Sequence, residues 1–168
     1  MTPPPKKNHR WIWFFVVVLV LAVAATVLLI VFNLQQQLKP EQLAAARALW
    51  KEKGPRDYTL SYVEYSLRDN DNNEAHYQVK VRGGRVVESI YNGKPELPAL
   101  LPYRSMDALF DTIENYMKMD SAPNQPRVFV RAIFDDLKTG GLRLYIRRIM
   151  GERKRVEILI NQFTIDAP

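Results

Sequence analysis

The hydrophobic and polar positions of this chain follow three different rhythms. From Trp11 to Phe32 the sequence WIWFFVVVLVLAVAATVLLIVF holds no charged residue. Polar residues take over across 33–40. Apolar positions then return at helical spacing, with Leu43, Ala46, Leu49 and Trp50 on one face of a helix predicted over 41–53. Pro40 suits the first turn of that helix, where its missing donor costs little, and Gly54-Pro55 ends it.

After Pro55 the period falls to two. DYTLSYVEYSL (57–67) and HYQVKVR (76–82) read as strands joined by the polar DNDNNE (69–74), and Gly83-Gly84 turns the chain into a third strand, RVVESIY (85–91). Asn92-Gly93 closes that strand, and Pro95, Pro98 and Pro102 make the next connection irregular. Ser105 caps a second helix, predicted over 106–119, whose apolar stripe is Met106, Leu109, Phe110, Ile113, Tyr116 and Met117. RVFVRAIF (127–134), LRLYIRRI (142–149) and RVEILINQFTI (155–165) predict three further strands. The expected fold is α+β: a single N-terminal transmembrane helix, then one small domain in the order α-β-β-β-α-β-β-β, its antiparallel sheet packed by helices on one face. With helix starts about 65 residues apart, the two halves read as an architectural repeat that residue identity does not support.

As a helix the 22 apolar residues extend roughly 33 Å, enough to cross a hydrocarbon core of about 30 Å. The predicted organisation is a basic tail (1–10), a transmembrane helix (11–32), a juxtamembrane spacer (33–40) and a domain (41–168). A cleaved signal peptide is the rival reading, since Ala22-Val-Ala24 imitates a cleavage site; the apolar run continues well past it. Lys6, Lys7 and Arg10 precede the span and the next basic residue is Lys39, so the positive-inside rule puts the N-terminus in the cytoplasm and the domain outside it. Trp11 and Trp13 at one boundary and Phe32 at the other are the expected membrane anchors.

Charge changes the picture only after it is divided. The net charge is +6, but three of the 24 basic residues and none of the 18 acidic ones lie in the tail, which leaves +3 for the rest. Nucleic acid is therefore not an expected partner. With no cysteine, disulfide frameworks and thiolate metal sites are excluded.

Four segments, ALWKEKGPRDYTLSY (48–62), VKVRGGRVVESIYNGKP (79–95), SMDALFDTIE (105–114) and RVFVRAIFDD (127–136), are similar in that order to an uncharacterised bacterial family, domain of unknown function 6174. The resemblance covers roughly Leu43–Ile165 and implies a membrane-anchored or lipoprotein-type extracytoplasmic domain. It brings no activity with it. Many members carry cysteines after the Asp-Tyr strand and Gly-Tyr-Pro after the acidic turn. This chain has no cysteine over Tyr65–Asn73 and has Gly140-Gly-Leu142 at the second place.

Candidate chemistry is sparse. DNDNNE offers Asp69, Asp71 and Asn73 at calcium-loop spacing, but an EF-hand needs glycine at position 6 and a bidentate acid at position 12, where this chain has Glu74 and Lys80. A plain hairpin loop with no metal is the expectation, and weak calcium binding at Asp69, Asp71 and Asn73 is the alternative. His76 lacks a partner pattern with Ser61, Ser66, Ser89 or Ser105, and Gly83-Gly84 and Gly140-Gly141 precede no helix, so no cofactor is expected. Asp135-Asp136 reads as a turn, and Asp107, Asp111 and Glu114 as the solvated face of the second helix.

The remaining candidate is cationic. Alternation places Arg127, Phe129 and Arg131 on one side of their strand, Arg143, Tyr145 and Arg147 on one side of theirs, and His76, Gln78, Lys80 and Arg82 likewise. If these sides coincide, arginines interleaved with aromatics line the open sheet face and can bind an anionic glycan, a lipid headgroup or an acidic envelope protein. The expected function is a binding or envelope-associated structural module. A membrane-anchored hydrolase and an inhibitor-like module acting on another envelope protein are the alternatives.

Overall fold

A computed structural model describes residues 10–135 and 138–166, without the side chains of residue 10 and residues 32–35. Phe32 as an anchor and Asp136 of the acidic pair lie outside the described residues. The chain divides into two compact units, Met1–Gln36 and Gln37–Pro168.

The first unit is α1 (Arg10–Gln35). Within it Trp11–Val31 is long and apolar enough to cross a membrane, with a mean hydropathy of 3.3 and no buried position. Its one hydroxyl is internally satisfied, because Thr26 Oγ1 donates to the Ala22 carbonyl at 2.8 Å. Trp11 and Trp13 are both exposed. The helix ends before the second unit begins, and Gln36–Lys39 is not helical.

The second unit opens with Leu38, whose N–H donates to the Val130 carbonyl at 2.8 Å. Helix α2 (Pro40–Lys53) follows, with Pro40 in its first turn and the Lys39 N–H bonded to Gln42 Oε1 at 3.0 Å. Next come β1 (Tyr58–Arg68), β2 (Asp71–Arg82), β3 (Arg85–Tyr91), the two-residue β4 (Lys94–Pro95) and a 3-10 helix (Pro98–Arg104). Helix α3 (Met106–Asp120) leads into β5 (Val128–Phe134), β6 (Leu142–Ile149) and β7 (Lys154–Ile165). Ser105 caps α3 as expected, its Oγ accepting from the Ala108 N–H at 3.2 Å. All seven strands form one antiparallel sheet in the order β4-β3-β2-β1-β7-β6-β5.

That order corrects the expected repeat. The first strand of one meander, β1, is central, whereas the first strand of the other, β5, is outermost. A twofold axis normal to the sheet would exchange β1 with β7 rather than with β5, so it does not superpose the two α-β-β-β halves. The halves meet instead through the last strand, β7, paired with β1 along its whole length.

Both helices cover one face of the sheet. Leu43, Ala46 and Trp50 from α2 and Met106, Leu109, Phe110 and Ile113 from α3 are buried against Tyr58, Leu60, Tyr62, Tyr77, Val79, Val81, Tyr145 and Ile158. Trp50 meets Tyr58 and Phe163 edge-on at 5.6 and 5.9 Å, an arrangement that suits the ring quadrupoles. The helices are tied together outside the core by Arg47, which reaches Asp111 and Glu114. Gly140 is required where the β5–β6 connection passes under α2. It has φ +72°, and a Cβ there would lie 2.5 Å from the Ala46 carbonyl oxygen.

Candidate functional site

The sheet does not assemble the basic face that alternation suggested. Arg131 shares the open face with Ile146, its cross-strand partner, and Lys80 and Arg82 share that face from β2. Tyr145 and Arg147 point the other way, opposite Ala132 and Val130 on the helix-covered face. Tyr145 is fully buried there, and Arg147 pairs with Asp120 at the end of α3 while lying 4.9 Å from the centre of the Tyr116 ring. Arg143 is the extra residue of a bulge opposite Ile133 and Phe134, and Arg127 lies just outside β5. Alternation fixes which residues of one strand share a side, but the facing of one strand relative to the next depends on register, which bulges reset.

The cations that do reach the open face are compensated or dispersed. Arg82 bonds Asp166 at 2.5 Å, Thr59 Oγ1 donates to the same carboxylate, and Lys80 stands opposite Glu88. Across the middle of that face runs an apolar row, Ile133, Leu144, Leu159 and Val63, ending at His76. His76 is exposed beside Glu74, with Nε2 3.0 Å from its carboxylate, while Ser66 and Ser89 lie on the opposite face. The acidic stretch is a tight hairpin: Asp69 and Asn70 form the turn, Asp69 has φ 57°, and Asp71 and Asn73 already belong to β2. Among the described residues there is no group of three or more His, Cys, Asp or Glu side chains that could hold a metal ion.

The most constructed surface lies in the connection read from sequence only as irregular. After Asn92 and Gly93, both at positive φ, Lys94 and Pro95 pair back onto β3 and the Glu96 N–H donates to the Ser89 carbonyl at 2.9 Å. The Glu96 carboxylate is thereby set beneath the chain, 5% exposed. It accepts from Ser89 Oγ at 2.6 Å and from the Arg104 guanidinium through Nε and Nη2 at 2.8–3.1 Å. Burial alone would raise the Glu96 pKa, but the bonds from Arg104 and Ser89 outweigh it and hold the carboxyl below its usual range. Arg104 rests with its guanidinium carbon 4.5 Å from the Tyr77 ring centre. That ring belongs to a row across three strands, Tyr62, Tyr77 and Tyr91, with centroids 4.7 and 5.3 Å apart.

This pair brackets the sequence LPALLPY (97–103). Pro98 and Pro102 fix two backbone angles, and the Leu100 N–H closes a turn on the Leu97 carbonyl at 2.9 Å. The result is a stiff apolar arch whose side chains face outward: Leu97 is 70% exposed, Tyr103 67% and Leu100 40%. Ordinary loops expose polar residues, and an exposed apolar cluster marks an interaction surface. Beside the clamp, on the same sheet face, lies Glu64. Burial raises its pKa and Arg104 offsets part of that rise; no hydrogen bond from it is recorded among the described residues.

Sequence reasoning missed this site because Glu96 and Arg104 are eight residues apart on no regular element, so no periodicity links them. One signal was available: an uncharged, largely apolar run bounded by opposite charges and held by two prolines.

Comparison with known proteins reaches only part of the chain. No curated protein matches it. Residues 42–123 match a family of unknown function, DUF6174, over α2, the first meander, the arch and α3. The match stops before β5, short of the span over which the motifs suggested a resemblance. The matched stretch, just under half of the chain, includes both the arch and the clamp, and over it the chain is similar to the DUF6174 family.

Proposed function

We propose that this is a single-pass membrane protein, N-terminus in the cytoplasm, whose extracytoplasmic domain is a binding module that offers the arch Leu97–Tyr103 to a protein partner. The carrying observation is the contrast between the base of the arch and its surface. A half-buried, bidentate ion pair over an aromatic row holds in place a seven-residue arch in which every residue but the partly covered Leu101 is exposed. Rigid apolar anchors lose little conformational entropy on binding and dominate the energetics of interfaces.

A protein is the favoured partner because an exposed cluster of two leucines and a tyrosine has the composition of an interface core. The chain enters the domain at Gln37–Leu38 beside β5, and the arch follows β4 at the opposite edge, six strand spacings or roughly 29 Å across the sheet. The span and its basic flank support the anchor and its orientation.

Because the chain contains no cysteine, topology can be read with single introduced cysteines. Ser121→Cys should react with a membrane-impermeant maleimide in intact cells and His9→Cys should not; the reverse pattern would refute the orientation. For the arch, a photo-crosslinking amino acid placed at Tyr103 in the full chain should give a discrete protein adduct in cells. Leu97→Asp with Leu100→Asp should abolish that adduct without changing the thermal melt. Adducts only to lipid, or a protein adduct unaffected by the two aspartates, would overturn the reading.

A further inference from the structure

A second feature, independent of the arch, lies where the last two strands of the second meander, β6 and β7, part. Strand β7 is paired to β1 along its entire length, from Lys154 to Ile165. Its other side is paired to β6 only between Arg155 and Leu159, opposite Arg148 and Leu144. From Ile160 to Ile165, six residues or roughly 20 Å of strand, that side of β7 has no strand beside it among the described residues. The pairing ends where each strand carries a bulge, Asn161 being an extra residue in β7 and Arg143 an extra residue in β6, and β6 itself begins at Leu142.

The parting leaves a cavity of about 460 Å³. Met106, Leu142 and Phe163 contribute apolar surface, and Lys138 and Arg143 stand at its rim, both exposed. Asp135 also lines it, and neither cation has an ion-pair partner recorded among the described residues. One backbone donor shows what the seam lacks: the buried Leu142 N–H is directed at Met106 Sδ, 3.3 Å away, a weak acceptor where a strand would offer a carbonyl. The sequence of the unpaired edge, INQFTI, is uncharged and rich in strand-forming residues. Outer sheet edges with such a sequence are normally blocked by charge, proline or cover.

We propose that this seam accepts an extended peptide segment bearing a carboxylate, which adds as a strand beside Asn161–Ile165 and places its carboxylate at Lys138 and Arg143. Backbone pairing supplies affinity in such strand addition, and the flanking side chains supply selectivity. The recess argues for a single peptide strand over a second copy of the chain. Asp135, Lys138, Thr139 and Gly141–Arg143 line the cavity together with the edge, which leaves less room for a second folded sheet than for a single strand. Among the described lining residues two rim cations stand against one acid, which favours an anionic segment.

The test uses the full chain in detergent micelles with a randomised octapeptide library carrying free C-terminal carboxylates, and amide hydrogen exchange as the readout. In the free protein, amides within Asn161–Ile165 that do not pair with β1 should exchange rapidly. Selected peptides should slow them at least tenfold. The same peptides with amidated C-termini, or the variant Lys138→Glu/Arg143→Glu, should bind at least tenfold more weakly, with an unchanged melt because both side chains are exposed. Four outcomes would overturn the proposal: protection of these amides in the free chain at all concentrations, protection that appears with protein concentration alone, selection of no peptide by a seam shown to be open, or selected peptides that bind without protecting the edge.

Discussion

Replacing Arg104 with alanine tests the clamp beneath the arch. The guanidinium gives two charge-assisted contacts to a carboxylate that is 5% exposed, and its own side chain is 21% exposed. Removing one partner of a buried pair costs about 3–5 kcal/mol, because the other charge stays buried without compensation. The residual exposure of Arg104 favours the lower end, and loss of the Tyr77 ring contact adds about 0.5–1 kcal/mol. A loss of about 3–4 kcal/mol is therefore expected, which a domain stable by roughly 5–15 kcal/mol survives. Urea denaturation of the full chain in micelles should show the midpoint falling by about 1–3 M. The double variant Arg104→Met/Glu96→Gln removes both charges and keeps an acceptor for Ser89, so it should return to within about 1 kcal/mol of the parent. A loss below about 1 kcal/mol for Arg104→Ala, or a double variant as unstable as the single one, would refute the clamp.

Further outcomes follow from the same packing. The raised Glu64 pKa means its contribution favours the folded state at low pH and is lost as pH rises through the folded value. Glu64→Gln should therefore stabilise the domain at pH 7 and flatten that part of the stability profile. Glu96, held low, acts oppositely: its contribution is present at neutral pH and disappears as pH falls through its depressed value, so Glu96→Gln should remove that acid-side loss. Gly140→Ala combines positive φ with a clash against the α2 backbone and should lower the melting temperature well beyond Gly83→Ala, whose added Cβ meets open space and costs only about 1 kcal/mol. Tyr145→Phe should change stability by less than about 1 kcal/mol or increase it, since Tyr145 Oη is buried without a hydrogen-bond partner among the described residues. A loss of several kcal/mol would show that a partner exists.

Most of the elements are legible from local signals in the sequence. The α3 stripe and its Ser105 cap define that helix to within a residue, because both depend on spacing inside one segment. Strand β2 begins five residues earlier than its alternation suggests. Asp71–Ala75 pair with Glu64–Arg68 in the hairpin ladder, and backbone pairing does not require apolar side chains. The relation between strands is illegible for a different reason. Arg131 and Arg147 each alternate correctly within their own strands, yet they stand on opposite faces because Arg147 is registered against Val130. The candidate site depends on the same non-local information: nothing near Glu96 in sequence indicates that Arg104 will fold back over it or that Tyr77 will lie beneath.

The single hydrogen bond from Leu38 to Val130 has a consequence for how such a protein can be crowded. Strand β5 would otherwise present an open ladder at one margin of the sheet, while the other margin ends in a two-residue strand containing Pro95. Chains held by one end to a surface meet their copies at high two-dimensional density, where an open margin invites polymerisation into continuous sheets. The segment that would serve as the tether also bonds to that margin, so an attachment that concentrated the protein would also hinder one route by which it could aggregate. A version beginning at Pro40 would lose both the surface and the block, and its solubility would report on the ladder alone.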